Sequence, residues 1–358
     1  MKVMGKYLAV LLAIAVLAGC DRRAGSGKGG SDTGADGTPS ATGEVAKEGD
    51  KASGAAGHEP AKAFPVVSVP MVYADDENAS VLYVMEHYWD SFLSSDSATT
   101  ADVILGVKDN DVEQALANYI ALLENHKRFA TPEEPAACRE AVKSVGTFFK
   151  KLEKKQQADT TALTYLRLTE MVSRYLYDPN SPLRDEDLYL PFAEAAAESP
   201  CTSDDMRTAY RFEASQCRLN GFGQKVPDIR YCLASGKKSN LYSVNAEYTM
   251  LFFSNPGCNA CKEIMHEVMS RRYVGEYISD GRLAIVNVYI DHEIDAWRDY
   301  VHNYPANWIN GYDYTFRLRD SGEYDIRAIP SLYLLDSQKR VLMKDAPTDK
   351  VLSFLDKI

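Results

Sequence analysis

Two cysteines stand one helical turn apart in the segment Asn255-Pro256-Gly257-Cys258-Asn259-Ala260-Cys261. Thiols so placed are close enough to close an intramolecular disulfide, and the chemistry they perform is thiol–disulfide exchange, in which a thiolate attacks a disulfide sulfur. The pair follows Tyr248 to Ser254, a strongly apolar run that reads as a buried strand. It opens a helical run with Ile264, Met265, Val268, Met269 and Tyr273 on one face. Cys258 is thus expected at a helix N-terminus, where unpaired N–H groups and the helix dipole stabilise an anion and lower a thiol pKa. Cys261 is then the partner that closes the disulfide and releases a trapped substrate.

Other uses of such a pair fit less well. A c-type haem site needs a histidine directly after the second cysteine, and Lys262 stands there. A zinc ribbon needs a second pair of ligands, for which His266 and the remote Cys232 are poor candidates. A peroxiredoxin motif needs Pro and Thr where Leu251 and Asn255 stand. No metal site and no cofactor beyond the Cys258–Cys261 disulfide is expected. Two readings stay open: a redox-active dithiol, or a redox-inert disulfide in a binding protein for which this part of the chain is only a scaffold.

The elements around the pair set its context. Asp228 to Leu233 reads as a short strand, Ser235-Gly236-Lys237 as a turn, and Leu283 to Ile290 as a second buried strand. A helix is expected around Ile294 to Val301. Ile329-Pro330-Ser331-Leu332-Tyr333-Leu334-Leu335-Asp336 leads into a hairpin with Arg340 to Met343, and a closing helix runs to Ile358. Strands alternating with helices argue a mixed α/β sheet over residues 223–358.

This order resembles the thioredoxin fold, in particular the TlpA-like thiol–disulfide oxidoreductases of the bacterial envelope. Three features carry the resemblance: the strand–Cys-x-x-Cys–helix junction, the Ile329-Pro330 dipeptide ahead of a strand, and the terminal hairpin and helix. It implies that Cys258 and Cys261 are catalytic, that Pro330 is cis and packs beside them, and that the Ile329 backbone pairs with the substrate chain. It also implies protein disulfides as substrates and a membrane thiol donor that keeps the pair reduced, which favours a reductase, while the residues between the cysteines leave the direction of electron flow open. Two departures bear on this. Asn259-Ala260 replaces the Gly-Pro of thioredoxin and the Pro-His of strong oxidants. The strand Met250-Leu251-Phe252-Phe253 lacks the buried carboxylate that thioredoxin uses as a proton acceptor, and Glu263 is expected to point away.

Upstream, apolar residues recur at helical spacing from Phe64 to about Gly221. Val81, Met85, Tyr88, Trp89 and Phe92 form one stripe within Ser80 to Phe92. Val112, Leu116, Tyr119, Leu122 and Leu123 form a second, and Val142, Val145, Phe148, Phe149 and Leu152 a third. Leu163, Leu166, Leu168, Met171 and Tyr175 form a fourth. Further helices are read from Leu190 to Ala197 and from Asp204 to Leu219, giving an all-helical domain of about six helices over residues 64–222, ahead of a thioredoxin-like α/β domain. The stretch from Tyr175 to Pro191, Tyr-Leu-Tyr-Asp-Pro-Asn-Ser-Pro-Leu-Arg-Asp-Glu-Asp-Leu-Tyr-Leu-Pro, resembles a signature of a helical domain of unknown function. In that family the domain stands directly ahead of a thioredoxin-like domain in envelope lipoproteins. His87 and His126 read as structural or solvated, and Tyr175, Tyr177 and Tyr189 as core packing and capping of the turn rather than as the lining of a groove. Cys138, Cys201, Cys217 and Cys232 allow three pairings, or none. A Cys201–Cys217 bond is out of reach if a straight helix holds its ends roughly 20 Å apart.

The chain opens with positive charge at Lys2 and Lys6, an apolar run from Leu8 to Leu17, and Leu17-Ala18-Gly19-Cys20. The run is shorter than the ~20 residues a transmembrane helix needs. The opening resembles the lipobox of bacterial lipoproteins, which implies a signal peptide over residues 1–19 and a lipidated Cys20 that anchors the chain to a membrane. Residues 20–63 are rich in Gly, Ala, Ser, Thr and charge and read as a flexible tether. The place implied is the envelope of a Gram-negative bacterium, facing the periplasm. With 358 residues, two domains of roughly 150 residues each fit the length. A net charge of -11 opposes a phosphate backbone, so no nucleic-acid partner is expected.

Overall fold

The apolar stripe from Val112 to Leu123 lies on a helix whose inner face buries Val112, Leu116, Tyr119, Ile120 and Leu123. A computed structural model describes residues 61–128 and 130–358; the stretch read as a signal peptide, Cys20 and nearly all of the stretch read as a tether lie outside the described residues. The helices are α1 (Glu77–His87), α2 (Asp90–Leu93), α3 (Asp109–Lys127), α4 (Ala136–Ala158), α5 (Thr164–Leu176), α6 (Glu186–Glu198) and α7 (Asp204–Cys217). Their inner faces form one core around Trp89, Phe92, Tyr119, Phe148, Phe149, Tyr189 and Phe192. Asp76 and Asp185 cap α1 and α6 by accepting from the backbone N–H of Ala79 and Leu188, which satisfies donors that a helix start leaves unpaired.

Three details differ from the apolar spacing. The stripe ending at Phe92 is split between α1 and α2 at Tyr88–Trp89, with no glycine or proline to mark the break. On α5, Leu163 and Leu166 are exposed, and the buried face runs through Tyr165, Leu168, Val172 and Leu176 with Thr164 and Thr169. Both threonines can be buried because Thr164 shares a hydrogen bond of 2.7 Å with Thr99 and Thr169 donates to the Leu166 carbonyl. A small hairpin, β1 (Val103–Ile104) with β2 (Val107–Lys108), turns through Leu105 and Gly106, both at positive φ. Lys62, within the stretch read as tether, bridges to Val107 and donates its backbone N–H to Gly106 at 2.8 Å.

The sheet follows: β3 (Arg230–Leu233), β4 (Lys238–Asn240), β5 (Tyr248–Phe253), β6 (Leu283–Tyr289), β7 (Ile309–Tyr312), β8 (Ser331–Leu335) and β9 (Val341–Met343), in the order β4-β3-β7-β6-β5-β8-β9. β5, β6 and β7 are parallel, and the pairs toward both edges are antiparallel. Because side chains alternate along a strand, β5 sends Met250 and Phe252 into one core and Leu251 and Phe253 into the other. The first core is covered by α8 (Asn259–Ser270), α9 (Arg272–Ser279), α10 (Ile294–Tyr300) and, beyond the short α11 (Arg317–Asp320), α12 (Thr348–Leu355). The helical run read from Cys261 to Tyr273 is broken after Ser270, and Met269, read on one face with Met265 and Val268, is exposed.

Strand β7 escapes sequence patterning because Ile-Asn-Gly-Tyr has little apolar content, yet its glycine is fixed by packing. A Cβ on Gly311 would lie 2.8 Å from the Tyr231 ring on the neighbouring strand. Gly311→Ala is expected to destabilise the protein by about 1–3 kcal/mol through this overpacking, seen as a lower thermal midpoint. A midpoint equal to that of the parent chain would show that Tyr231 gives way freely.

Candidate active site

Strand β5 is hydrogen-bonded to β6 on one edge and β8 on the other, so the point where it ends is fixed. Ser254 to Gly257 turn the chain, with Gly257 at φ 74°, a conformation that only glycine adopts without cost. Cys258 then caps α8, its sulfur accepting from the Cys261 N–H at 3.1 Å. Cys258 and Cys261 are joined by a disulfide with Cα atoms 5.3 Å apart. Cys258 is half-buried beside exposed Asn259 and Ala260, whereas Cys261 is 1% exposed. Cys258 is thus the more open residue of the two and Cys261 the shielded one.

Ile329 and Pro330 join the site through the sheet. Their peptide bond is cis. Ser331 pairs with Phe253 at the end of the β5–β8 ladder, so Pro330 stands beside the point where β5 gives way to the disulfide loop. Ile329 and Cys258 pack against the same core that contains Cys261, Met265, Trp308 and Tyr304. Ile329 and Pro330, expected beside the pair, thus stand next to the end of β5, ahead of the disulfide loop; Cys20 lies outside the described residues.

Beneath the loop is a polar group that the sequence did not signal. The buried Ser254 hydroxyl donates to Asn287 Oδ1 at 2.6 Å and lies 3.3 Å from the Tyr304 hydroxyl, and Asn287 Nδ2 donates to Asn310 Oδ1 at 3.0 Å. Burial pushes the Tyr304 hydroxyl up to about 12, so it stays protonated. Asn255 donates to Asp291 Oδ2 at 2.8 Å, and Asp291 also pairs with Arg319. Strand β5 carries no carboxylate and Glu263 is exposed, so Asp291 is the acid that reaches this loop, from the end of a different strand. Its only sequence trace is its place directly after the apolar run Leu283 to Ile290.

The other four cysteines of the described residues are unpaired: Cys138, Cys217 and Cys232 are buried and Cys201 is half-buried. Burial raises the Cys138 thiol to about 11 and lifts the Cys217 thiol well above its ordinary range. His87 and His126 are held by Asp90 and Glu140, each at 2.7 Å. Tyr189 is buried, and Tyr177 stacks on it.

The family model described as "Domain of unknown function (DUF5106)" matches residues 35–220. The chain belongs to this family. The DUF5106 match begins well before Phe64, inside the polar stretch read as tether, where apolar spacing carries no signal. A crystal structure of a thioredoxin-like protein from Bacteroides caccae is 31% identical over 83% of this chain and 99% of that one, with a TM-score of 0.65. The C-terminal domain of an uncharacterized protein from Bacteroides fragilis is 39% identical over 38% of this chain and 99% of its own, with a TM-score of 0.38. A thiol-disulfide oxidoreductase from Bacteroides fragilis is 20% identical over 37% of this chain and 98% of its own, with a TM-score of 0.33. No curated protein matches. This DUF5106 chain therefore pairs its helical region with a thioredoxin-like α/β fold.

Burial and raised thiol pKa values separate the cysteines by reactivity. In the reduced chain at neutral pH, iodoacetamide is expected to alkylate Cys258 at least about 100-fold faster than Cys138 or Cys217, because each pKa unit removes tenfold of the thiolate. Mass spectrometry of timed samples reads this, and similar rates at the three positions would contradict it.

Proposed function

We propose that this chain is an envelope-anchored thiol–disulfide oxidoreductase that reduces protein disulfides. The observation that carries the reading is the Cys258–Cys261 disulfide at the start of α8, with Cys258 the more open residue, Cys261 shielded, and Ile329-Pro330 next to the end of β5. In the dithiol form, the Cys258 thiolate attacks one sulfur of a substrate disulfide. A bond forms between Cys258 and that sulfur, and the substrate's other sulfur leaves as a thiolate and takes up a proton. Cys261, deprotonated, attacks Cys258 and displaces the remaining substrate thiolate. The substrate has gained two electrons and two protons, and Cys258–Cys261 is oxidised. The Cys261 N–H, which already points at the Cys258 sulfur, and the free N–H groups of the α8 start stabilise the attacking thiolate.

Around this chemistry we place residues 1–19 as a signal peptide, Cys20 as the lipidated anchor, residues 20–63 as a tether, 64–222 as the helical domain and 223–358 as the redox domain. The chain then faces the periplasm of a Gram-negative envelope, with protein disulfides as substrates and a membrane thiol donor to return Cys258–Cys261 to the dithiol. The resemblance to TlpA-like proteins supports this arrangement, as does the lipobox-like Leu17-Ala18-Gly19-Cys20. No cofactor other than the disulfide enters the mechanism.

Equilibration with glutathione or dithiothreitol buffers measures the potential of the pair. A value near the thioredoxin range of about -270 mV is expected for a reductase, and a value near about -120 mV would make it an oxidant. A pair that resists reduction until the domain unfolds would replace this reading with the binding-lipoprotein one. Cys261→Ser is expected to accumulate mixed disulfides through Cys258, visible on non-reducing gels and lost in Cys258→Ser/Cys261→Ser.

A further inference from the structure

Arg327 lies two residues ahead of Ile329, yet its side chain is held from the helical region. Its guanidinium lies over the Tyr177 ring, 4.2 Å from the centroid, and donates to the Tyr177 carbonyl. It also lies 3.0 Å from Glu186 Oε1 and 3.0 Å from Asp345 Oδ2. Asp345 in turn accepts from the Ser331 hydroxyl at 2.8 Å, and its backbone carbonyl accepts from Arg184 Nε at 2.6 Å. Lys344, at 2.6 Å from Glu186 and donating to the Gln216 carbonyl, closes the cluster. Glu186, Lys344 and Asp345 are all nearly inaccessible.

The segment Ile329-Pro330 is therefore bracketed by Arg327 on one side and Ser331 on the other, both tied through Asp345 to groups on the helical region. A planar, delocalised cation fits this role, since a guanidinium can stack on a ring and donate in several fixed directions at once. We propose that the helical region is a positioning element for substrate docking, in which Tyr177 and Glu186 hold Arg327 and thereby fix the backbone at Ile329-Pro330 beside the disulfide. This rests on the oxidoreductase reading above. Tyr177 and Arg327 are positioning residues, since neither touches the sulfurs.

The test uses the full-length chain, with insulin as the disulfide substrate and dithiothreitol as the electron source. The variants are Tyr177→Leu, which removes the ring but no charge, and Arg327→Lys, which keeps the charge and removes the fork. Thermal unfolding confirms that each variant folds. Loss of the docking geometry is expected to raise KM for insulin by about tenfold while kcat stays within about twofold, with the potential of Cys258–Cys261 unchanged. KM equal to that of the parent in whichever variants fold would overturn the proposal. So would a shifted potential, because the cluster would then act on the disulfide itself. If the parent chain fails to reduce insulin, the oxidoreductase reading falls first and this inference with it.

Discussion

Strand β5 is paired along both edges and apolar on both faces, and the position of the disulfide is a consequence of that. Burying four consecutive large side chains, Met250 to Phe253, contributes about 1.5–3 kcal/mol each and leaves the strand no freedom to shift its register. A slip by one residue would exchange the two cores. The end of β5 is therefore a fixed point, and Cys258, one short turn beyond it, inherits that fixity. Ser331 is positioned by the same ladder, which is how two segments far apart in the chain meet at one site.

The helical region meets the sheet through charge rather than through a shared apolar core. Its own core closes around Trp89, Phe149 and Phe192, and the sheet's two cores are separate clusters. Between them lie Glu186, Arg327, Lys344 and Asp345, together with Lys350 paired to Glu124. Buried clusters of this kind add little net stability over an apolar seam, but they tolerate no missing member: an uncompensated buried charge costs about 3–5 kcal/mol. Such a seam fixes orientation sharply. Burial lifts the Glu186 carboxyl above its ordinary range even with two cations beside it, a sign of how dry the seam is.

The strand–turn–helix junction at Cys258 was legible because its signals are local: an apolar run, a proline and glycine, then helical spacing. Ile329-Pro330 was legible as the lead into a strand, and its place beside the cysteines only through the resemblance to the thioredoxin fold. What escaped were features made by distant partners. Strand β7 is recruited by its neighbours rather than by its own Ile-Asn-Gly-Tyr. The exposed face of α5 was misread because two buried threonines count as polar in a pattern while their hydroxyls are satisfied in the structure. The partners of Arg327 sit up to 150 residues away, a separation at which charge pairing leaves no trace in composition or period. The polar group under the loop is likewise assembled from the ends of different elements, Ser254, Asn287, Tyr304 and Asn310.

Three of the four unpaired thiols among the described residues acquire a meaning from their burial. Under the proposed redox role, a chain with one exchanging pair and other thiols faces an internal short circuit, in which the pair would scramble with its own neighbours. Cys217 lies in the helical core, Cys138 is buried on α4 and Cys232 is buried on strand β3. In the proposed reading, the packing that makes these three good core residues also shields them from exchange with Cys258, and half-buried Cys201 is the described thiol outside the pair with the least protection.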